Sequence, residues 1–568
     1  MTATAIFVLG PSALPLALRI KAEIGGHIHG PRTLAGADRH YEHATAEMAR
    51  VFRHGQAVIG LCAAGILIRA VAPLLGDKRA EPPVLAVAED GSAVVPLLGG
   101  HRGANDLARR IAALTSGPAA LTTASDVVLG EALDGSEDAV LANPEHHKQA
   151  AAAMLRGEDV SRETTIHRTT GSERHLVYHP LRLAVGLGCE RGAEPAELRR
   201  LLDETLARHN IAAAAIRHFG SIDLKEDEPA VSQFGDVIFF SAERLKDEEA
   251  RLATPSAMVA KEVGVAGVAE ASALALAGPG GRLIVPKVKS ARATLAIAEA
   301  PERWTFTGHG GRRRGVLSIV GIGPGSHDML TPGAEHCLWN ADEWVGYSLY
   351  LDLVESLRQK AQTRHDFPLG DEEKRVLRAI ELAGQGRRVA LVCSGDAGIY
   401  AMASLAFELI DGEPSRIAVE VIPGISAFQM ASARAGALIG HDFCCISLSD
   451  LLTPWEEIEK RVAAAAAGDF VVAFYNPRSR KRLDHIERAM AILARHRPPE
   501  TPVVIASNLG RPEEKVRIVP FAEFDADAID MLTLVMVGSS QSKSFTRGDG
   551  RISAYTPRGY ARKREAAE

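Results

Sequence analysis

The sequence contains no Gly-Lys-Ser or Gly-Lys-Thr, which excludes a Walker-type phosphate loop. It has no Cys-x-x-Cys either. Its six cysteines, Cys62, Cys189, Cys337, Cys393, Cys444 and Cys445, offer no zinc framework and read as reduced thiols in a cytoplasmic protein. No apolar run reaches the roughly 18–20 residues of a membrane span. The N-terminal AIFVLGPSALPLAL is apolar enough to mimic a secretion signal. However, no Lys or Arg precedes Arg19, and Gly10, Pro11 and Pro15 interrupt the run, so strand, turn and helix account for it better. There is no cationic excess: 65 Lys and Arg stand against 71 Asp and Glu, a net charge of −6. A general nucleic-acid footprint is therefore not expected, and any anionic ligand must be met by a local basic patch.

What is present is an ordinary globular composition, 46% hydrophobic and 24% charged, over 568 residues. At roughly 100–200 residues per domain, that length predicts about three domains. Three short apolar runs feed glycine turns, AIFVLGPSA at 5–13, LAVGLGCERG at 183–192 and VLSIVGIGPGS at 316–326. Each reads as the opening strand of an α/β domain. TGHGGRRRG at 307–315 reads as a boundary. The predicted domains are 1–135, 180–302 and 315–560, with 303–314 as linker and 136–179 as a small insert or a long linker. The last domain alternates strand-like runs (316–321, 388–393, 417–422, 469–475, 502–507, 532–538) with helical patterns. That is an open, multidomain α/β arrangement whose ligand loops gather at strand C-terminal ends.

The loop after Val316 is not a dinucleotide fingerprint. Gly321 and Gly323 fit, but Ser326 stands at the final glycine position. The helix is predicted to begin about ten residues later, with Thr331 as N-cap and Pro332 at its first position. The second strand, EWVGY, ends in Gly346-Tyr347 without the carboxylate that would hold a ribose. This counts against a nicotinamide-dependent oxidoreductase. Further small-residue stretches follow strands in order: SGDAGIYAM (394–402), VIPGISAFQMASARAGA (421–437), FYNPRSR (474–480), SNLGRPEEK (507–515) and VMVGSS (535–540). Small residues at strand ends let a ligand approach the backbone closely.

In this order the motifs resemble the tetrapyrrole methyltransferase superfamily, and within it the precorrin-3B C(17)-methyltransferases of cobalamin biosynthesis, over 315–560. The resemblance implies S-adenosylmethionine bound folded between two α/β lobes. The positions carried over are Pro324, Ser394-Gly395-Asp396 with Ile399, and Ser426-Ala427, with Asn476 and Asn508-Leu509 following. A sulfonium is a cation, so carbonyls, apolar walls and Asp396 suit it; alternatively Asp396 closes its own turn by an Asx bond. A polycarboxylate ring calls for cations, and Arg478, Arg480, Lys481 and Arg511, with Lys515, are the candidates; the bland reading is ordinary surface charge. Methylation at carbon 17 with ring contraction to precorrin-4 calls for a base, and His327, Asp328, His441 and Asp442 lie in candidate cleft loops.

The first half resembles cobalt-precorrin-5A hydrolase over about 1–300. It carries GLCAAGILIRAVAPLLGDKRAEPPVLAVAEDGSAVVPLLGGHRGANDLARRIA (60–112), VGLGCERGAEPAEL (185–198), GSIDLKEDEPAV (220–231), VGVAGVAEASAL (263–274) and LIVPKVKSARATLAIA (283–298). That family opens a ring lactone and releases acetaldehyde. His101, on a glycine turn before a helix, is the first acid–base candidate, with Asp223, Glu226 and Glu270; turn or cap roles are the alternative. No metal is assigned: His146, His147, His167, His175 and His179 lack ligand spacing. The reading is a bifunctional enzyme, cytoplasmic, acting on a small-molecule tetrapyrrole without nucleic acid or membrane. It is expected to be a homodimer, with other cobalamin-pathway enzymes as possible partners. The alternatives are a non-catalytic tetrapyrrole-binding first half, or methylation of another corrin carbon.

Overall fold

The computed structural model describes residues 4–78, 80–115, 117–122, 135–136, 138–301, 310–359, 361–412, 415–479, 482–560 and 563. The chain divides into two compact units, Met1–Arg314 and Gly315–Glu568. Among the described residues, no helix is long and apolar enough to cross a membrane, and all six cysteines are free thiols.

Among the described residues, the first unit holds three sheets. The first contains β1 (Ala5–Val8), β2 (His27–Pro31), β3 (Arg39–Tyr41), β4 (Val58–Leu61), β5 (Val84–Val87) and β6 (Val94–Leu98), ordered β3-β2-β1-β4-β5-β6. All neighbours are parallel except β5 and β6. Every residue of β1, β4 and β5 is buried, which is why these strands read as unbroken apolar runs.

The second sheet is small. β7 (Gly135–Ser136), β8 (Ala139–Leu141), β9 (Ser161–Thr164) and β10 (His175–Pro180) make a sheet ordered β7-β8-β10-β9. The helix His147–Leu155 packs on it through Leu141, Ala150 and Leu176. Two of the histidines there serve the fold: His175 Nε2 lies 3.1 Å from Glu163 Oε2, and His179 Nδ1 lies 2.7 Å from the Thr165 carbonyl.

The third sheet contains β11 (Leu183–Cys189), β12 (Ile216–Ile222), β13 (Val237–Phe240), β14 (Arg282–Lys289), β15 (Ala293–Glu299) and β16 (Arg312–Arg313), ordered β14-β15-β11-β12-β13-β16. The helix Val268–Ala277 lies so close to β11 that a Cβ at Gly186 would meet the Ala269 carbonyl at 1.8 Å. This contact explains why half of that helix is alanine and nearly all of it is buried.

The second unit has two five-stranded sheets. The first contains β17 (Val316–Gly321), β18 (Glu343–Tyr347), β19 (Thr363–Phe367), β20 (Arg388–Cys393) and β21 (Ala418–Ile422), ordered β19-β18-β20-β17-β21 and parallel throughout. The chain then forms β22 (Gly436–Ala437), β23 (Phe443–Ser447), β24 (Val471–Tyr475), β25 (Pro502–Ser507), β26 (Lys515–Pro520), β27 (Thr533–Val537), β28 (Lys543–Thr546) and β29 (Ile552–Tyr555). The second sheet is ordered β23-β24-β27-β25-β26 and is mixed, since β27 runs antiparallel to β24 and β25. β22, β29 and β28 make a small third sheet. As the sequence predicts, the helix Pro332–Asn340 starts late, with Thr331 Oγ1 accepting from the Ala334 N–H at 3.2 Å.

Candidate active site

In the first sheet of the second unit, β17, β20 and β21 end side by side, and their loops meet almost without side chains. Gly323 and Gly395 form an isolated antiparallel bridge, with N–H donated each way at 3.1 and 2.7 Å. A Cβ at Gly321 would meet the Gly395 carbonyl at 2.7 Å, and one at Gly424 would meet that same oxygen at 2.2 Å. The glycines are there because three backbones touch.

Asp396 tightens this junction. One carboxylate oxygen accepts from the Gly398 N–H at 2.9 Å and the other from the Gly424 N–H at 3.1 Å. The Asx-type turn bond is therefore made, and the second oxygen ties the β21 loop to the β20 loop. Pro324 is buried. Its carbonyl accepts from Arg511 Nε at 3.2 Å, and Ser394 Oγ accepts from Arg511 Nη2 at 3.3 Å.

Ser426 is 2% exposed and caps the helix Ala427–Ala435. Its N–H donates to Gln429 Oε1 at 2.8 Å, and its Oγ lies 2.6 Å from the Tyr475 hydroxyl. That hydroxyl also accepts from the Phe428 N–H at 3.4 Å. Burial pushes the Tyr475 phenol up to about 12, so it stays protonated. Ile399, Ala427, Tyr475 and Leu509 belong to one apolar cluster with Phe428 and Met536. Beyond its chain neighbours, a Cβ at Gly395 (φ 68°) would meet nothing nearer than Ser426 Cα at 3.9 Å. Space for a methyl-sized group thus remains beside the turn, against the Ser426 and Ala427 backbone. This donor set suits a cation with an apolar body better than a phosphate.

Asn476 and Asn508 both take left-handed φ, 49° and 53°, at the ends of β24 and β25. Asn476 is exposed and donates Nδ2 to Ser447 Oγ at 3.1 Å. Tyr475 and Tyr400 were missed by the sequence reading. Tyr400 donates to the Cys445 carbonyl at 2.8 Å, and its ring centre lies 5.2 Å from that of Tyr475. For Tyr475 the available signal is an aromatic residue at the end of a buried strand; Tyr400 lies in a loop and carries no such signal.

The acid–base and cationic candidates separate. His327 is exposed on a turn beside a shallow cleft lined by Ile322, Ser326 and Leu353, with Nε2 3.1 Å from Ser356 Oγ. Asp328, beside it, is exposed. Asp442 does not belong to this rim. It precedes β23, which runs parallel to β24 with Ser447 opposite Tyr475, so Asp442 sits at the opposite sheet edge, about 16 Å away at ~3.3 Å per residue. There it pairs with His441, Nδ1 to Oδ2 3.2 Å, and both are exposed. Arg478 donates to the Ala526 carbonyl and to Asp527 Oδ1 at 3.0 Å, which commits it to the fold. Arg511 spends Nε and Nη2 on the two loops named above. Arg480 and Lys481 lie outside the described residues.

In the first unit, His101 occupies a turn between Gly99 and Gly103, both at positive φ (77° and 86°), before the helix Ala104–Leu114. Asp223 follows β12, and its carbonyl accepts from the Glu226 N–H at 3.2 Å. Glu226 is buried, with Oε1 2.7 Å from Arg312 Nη2. Glu270 is corrected from a base to a structural anchor. Its carboxylate accepts from the N–H groups of Ala253, Thr254 and Lys287 and from Thr254 Oγ1, all at 2.8–2.9 Å. Burial raises its pKa, but the bonds from Lys287, Thr254 and Ala253 outweigh this and hold it below the usual value.

Residues 316–525 match the family described as Tetrapyrrole (Corrin/Porphyrin) Methylases. The probable cobalt-factor III C(17)-methyltransferase of Salmonella typhimurium is 44% identical over 245 residues, which is 43% of this chain and 99% of that protein. The chain belongs to the tetrapyrrole methylase family. The precorrin-3B C(17)-methyltransferase of Sinorhizobium sp is another relative, 38% identical over 44% of this chain and 98% of its own length. The crystal structure of the methyltransferase CobJ covers 43% of this chain and all of its own, at 38% identity and a TM-score of 0.40. Ahead of the methylase region, residues 46–126 match Cobalamin synthesis G N-terminal and residues 183–298 match Cobalamin synthesis G C-terminus. This tetrapyrrole methylase therefore carries a second cobalamin-synthesis module in the same chain.

Proposed function

We propose that residues 315–560 transfer a methyl group from S-adenosylmethionine to carbon 17 of precorrin-3B, or of its cobalt analogue, with contraction of the ring to precorrin-4. The observation that carries this reading is the side-chain-free junction of Gly321, Gly395 and Gly424 beside the Ser426–Tyr475 pair, within the stretch shared with C(17)-methyltransferases. The cofactor supplies an electrophilic methyl group. The protein's part is alignment and exclusion of water. Pro324, Ser394-Gly395-Asp396, Ile399, Ser426-Ala427 and Leu509 bound the cofactor, with Asn476 and Asn508 at the rim. His327 is the exposed base candidate for the hydroxyl proton lost in contraction.

The first half, with domains at 1–135 and 180–302, hydrolyses the ring lactone of cobalt-precorrin-5A and releases acetaldehyde. The two cobalamin synthesis G matches support this. The enzyme works in the cytoplasm as a homodimer. Incubating the full chain with precorrin-3B and methyl-labelled S-adenosylmethionine should give a labelled, ring-contracted product by mass spectrometry. An unlabelled tetrapyrrole pool would sink the methyltransferase assignment. Acetaldehyde trapped from cobalt-precorrin-5A tests the hydrolase assignment separately.

A further inference from the structure

Among the described residues of the sequence-predicted substrate set, Arg511 is the cation whose hydrogen bonds run from the second sheet of its unit to the glycine junction of the first. It follows β25 in a loop shaped by left-handed backbone at Asn508, Gly510 and Glu513 (φ 53°, 69° and 70°). Its N–H donates to the Asn508 carbonyl at 3.0 Å, and its own carbonyl accepts from the Glu514 N–H at 3.2 Å. Glu514 braces the loop from below. One oxygen accepts from the Gly510 N–H at 2.7 Å, and the other lies 2.7 Å from Arg434 Nε, on the helix that Ser426 caps.

The guanidinium then donates Nε to the Pro324 carbonyl and Nη2 to Ser394 Oγ. The packing leaves little slack. A Cβ at Gly325 would meet Arg511 Cγ at 2.7 Å, and one at Gly510 would meet Ser326 N at 3.0 Å and Gly325 N at 3.1 Å.

We infer that Arg511 is a positioning residue for the cofactor site. It clamps the Pro324 loop and the Ser394 turn together from the opposite sheet, and the Glu514–Arg434 pair ties that clamp to the helix of Ser426. This inference rests on the methyltransferase reading above and adds a role distinct from pairing with substrate carboxylates. A carboxylate anchor would direct its planar donors at a ligand; here two of them are spent on protein oxygens that hold cofactor-bounding backbone. Lysine carries its donors on one nitrogen at the end of a flexible stem and lacks the rigid fork that spans the two oxygens.

The test uses the full chain with Arg511→Gln and Arg511→Lys. S-adenosylhomocysteine affinity is read by calorimetry, and KM is measured for each substrate. Losing the clamp is expected to weaken S-adenosylhomocysteine binding and raise KM for S-adenosylmethionine by about tenfold, the scale of one to two net hydrogen bonds. The KM for precorrin-3B should move less than about twofold, with Arg511→Lys falling in between. The reverse pattern, intact cofactor affinity with a raised KM for precorrin-3B, overturns the inference. If Arg511→Gln does not fold, Gly510→Ala keeps the guanidinium but drives a Cβ into the Pro324 loop, and it should give the same cofactor-side defect. Unchanged S-adenosylhomocysteine affinity in that variant likewise overturns it. Failure of the unsubstituted chain to bind S-adenosylhomocysteine would instead strike the methyltransferase reading itself.

Discussion

At the scale of single residues, what decides a role is whether a polar atom is already occupied. Glu270 sits in the first turn of a helix, where a carboxylate is favourable in any protein. Four donors converge on it from the 253–254 turn and β14, so it has no capacity left to take a proton from a ligand. Glu270→Gln replaces an acceptor by an NH2 group facing N–H donors. We expect it to destabilise the first unit by about 2–4 kcal/mol. Thermal unfolding of the full chain followed by circular dichroism checks this; an unshifted transition with lost lactone hydrolysis would restore Glu270 as a base. Asp396 shows the same logic, since both its oxygens are engaged by backbone N–H groups.

At the scale of elements, direction matters as much as identity. Ligand loops in open α/β sheets follow strands, and the junction after β17, β20 and β21 obeys this rule. Asp442 precedes its strand and so falls at the wrong edge. Asp442 stands just ahead of FCCIS, which forms β23, and its place before a strand is what removes it from the strand-end loops. The glycine junction gives a sharp expectation. Gly424→Ala would place a Cβ 2.2 Å from the Gly395 carbonyl and 2.6 Å from that of Gly321. The loops must separate, at a cost of about 1–3 kcal/mol. We expect S-adenosylhomocysteine binding, measured by calorimetry, to be lost while most of the helical circular dichroism remains. Unchanged binding would mean that the junction does not bound the cofactor.

At the scale of the whole molecule, the chain has two compact units, and the first carries a buried acid-sensitive cluster in its opening sheet. In the first unit, His29 is 1% exposed, stacked on Phe7, with Nδ1 3.1 Å from Glu47 Oε1. Burial lowers the His29 pKa, with Arg39 and Arg50 contributing. Burial alone would raise Glu47, but its bonds to His29 and Arg50 bring it from 4.5 down to about 2. Both native pKa values lie below their unfolded ones, so the unfolded chain binds these protons first as pH falls. Stability from this cluster is full above 6.5, the usual histidine value, and declines below it. The Glu47 share is lost between about 4.5 and about 2. Hydrogen exchange of β1 and β2, read by mass spectrometry across that range, should show protection falling with acid. In Glu47→Gln the fall should be shallower and start from a lower value. An identical acid dependence in the two proteins would remove this pair as the cause.

The sequence by itself determined the buried strands β1, β11, β17, β20, β24, β25 and β27, because strands covered on both faces must be continuous apolar runs. It also determined the Thr331 cap and the strand-end glycine loops, because capping and close backbone approach demand particular residue types. It could not determine which charged side chains were free. In one dimension Glu270 looks like an available base, and Arg478 and Arg511 look like available cations for a substrate carboxylate. The donors and carbonyls that occupy them come from segments up to 187 residues away, as between Arg511 and Pro324. Only the tertiary structure brings such groups within hydrogen-bonding distance, and a long-range hydrogen bond, unlike a helix cap or a hydrophobic period, leaves no local pattern in the sequence.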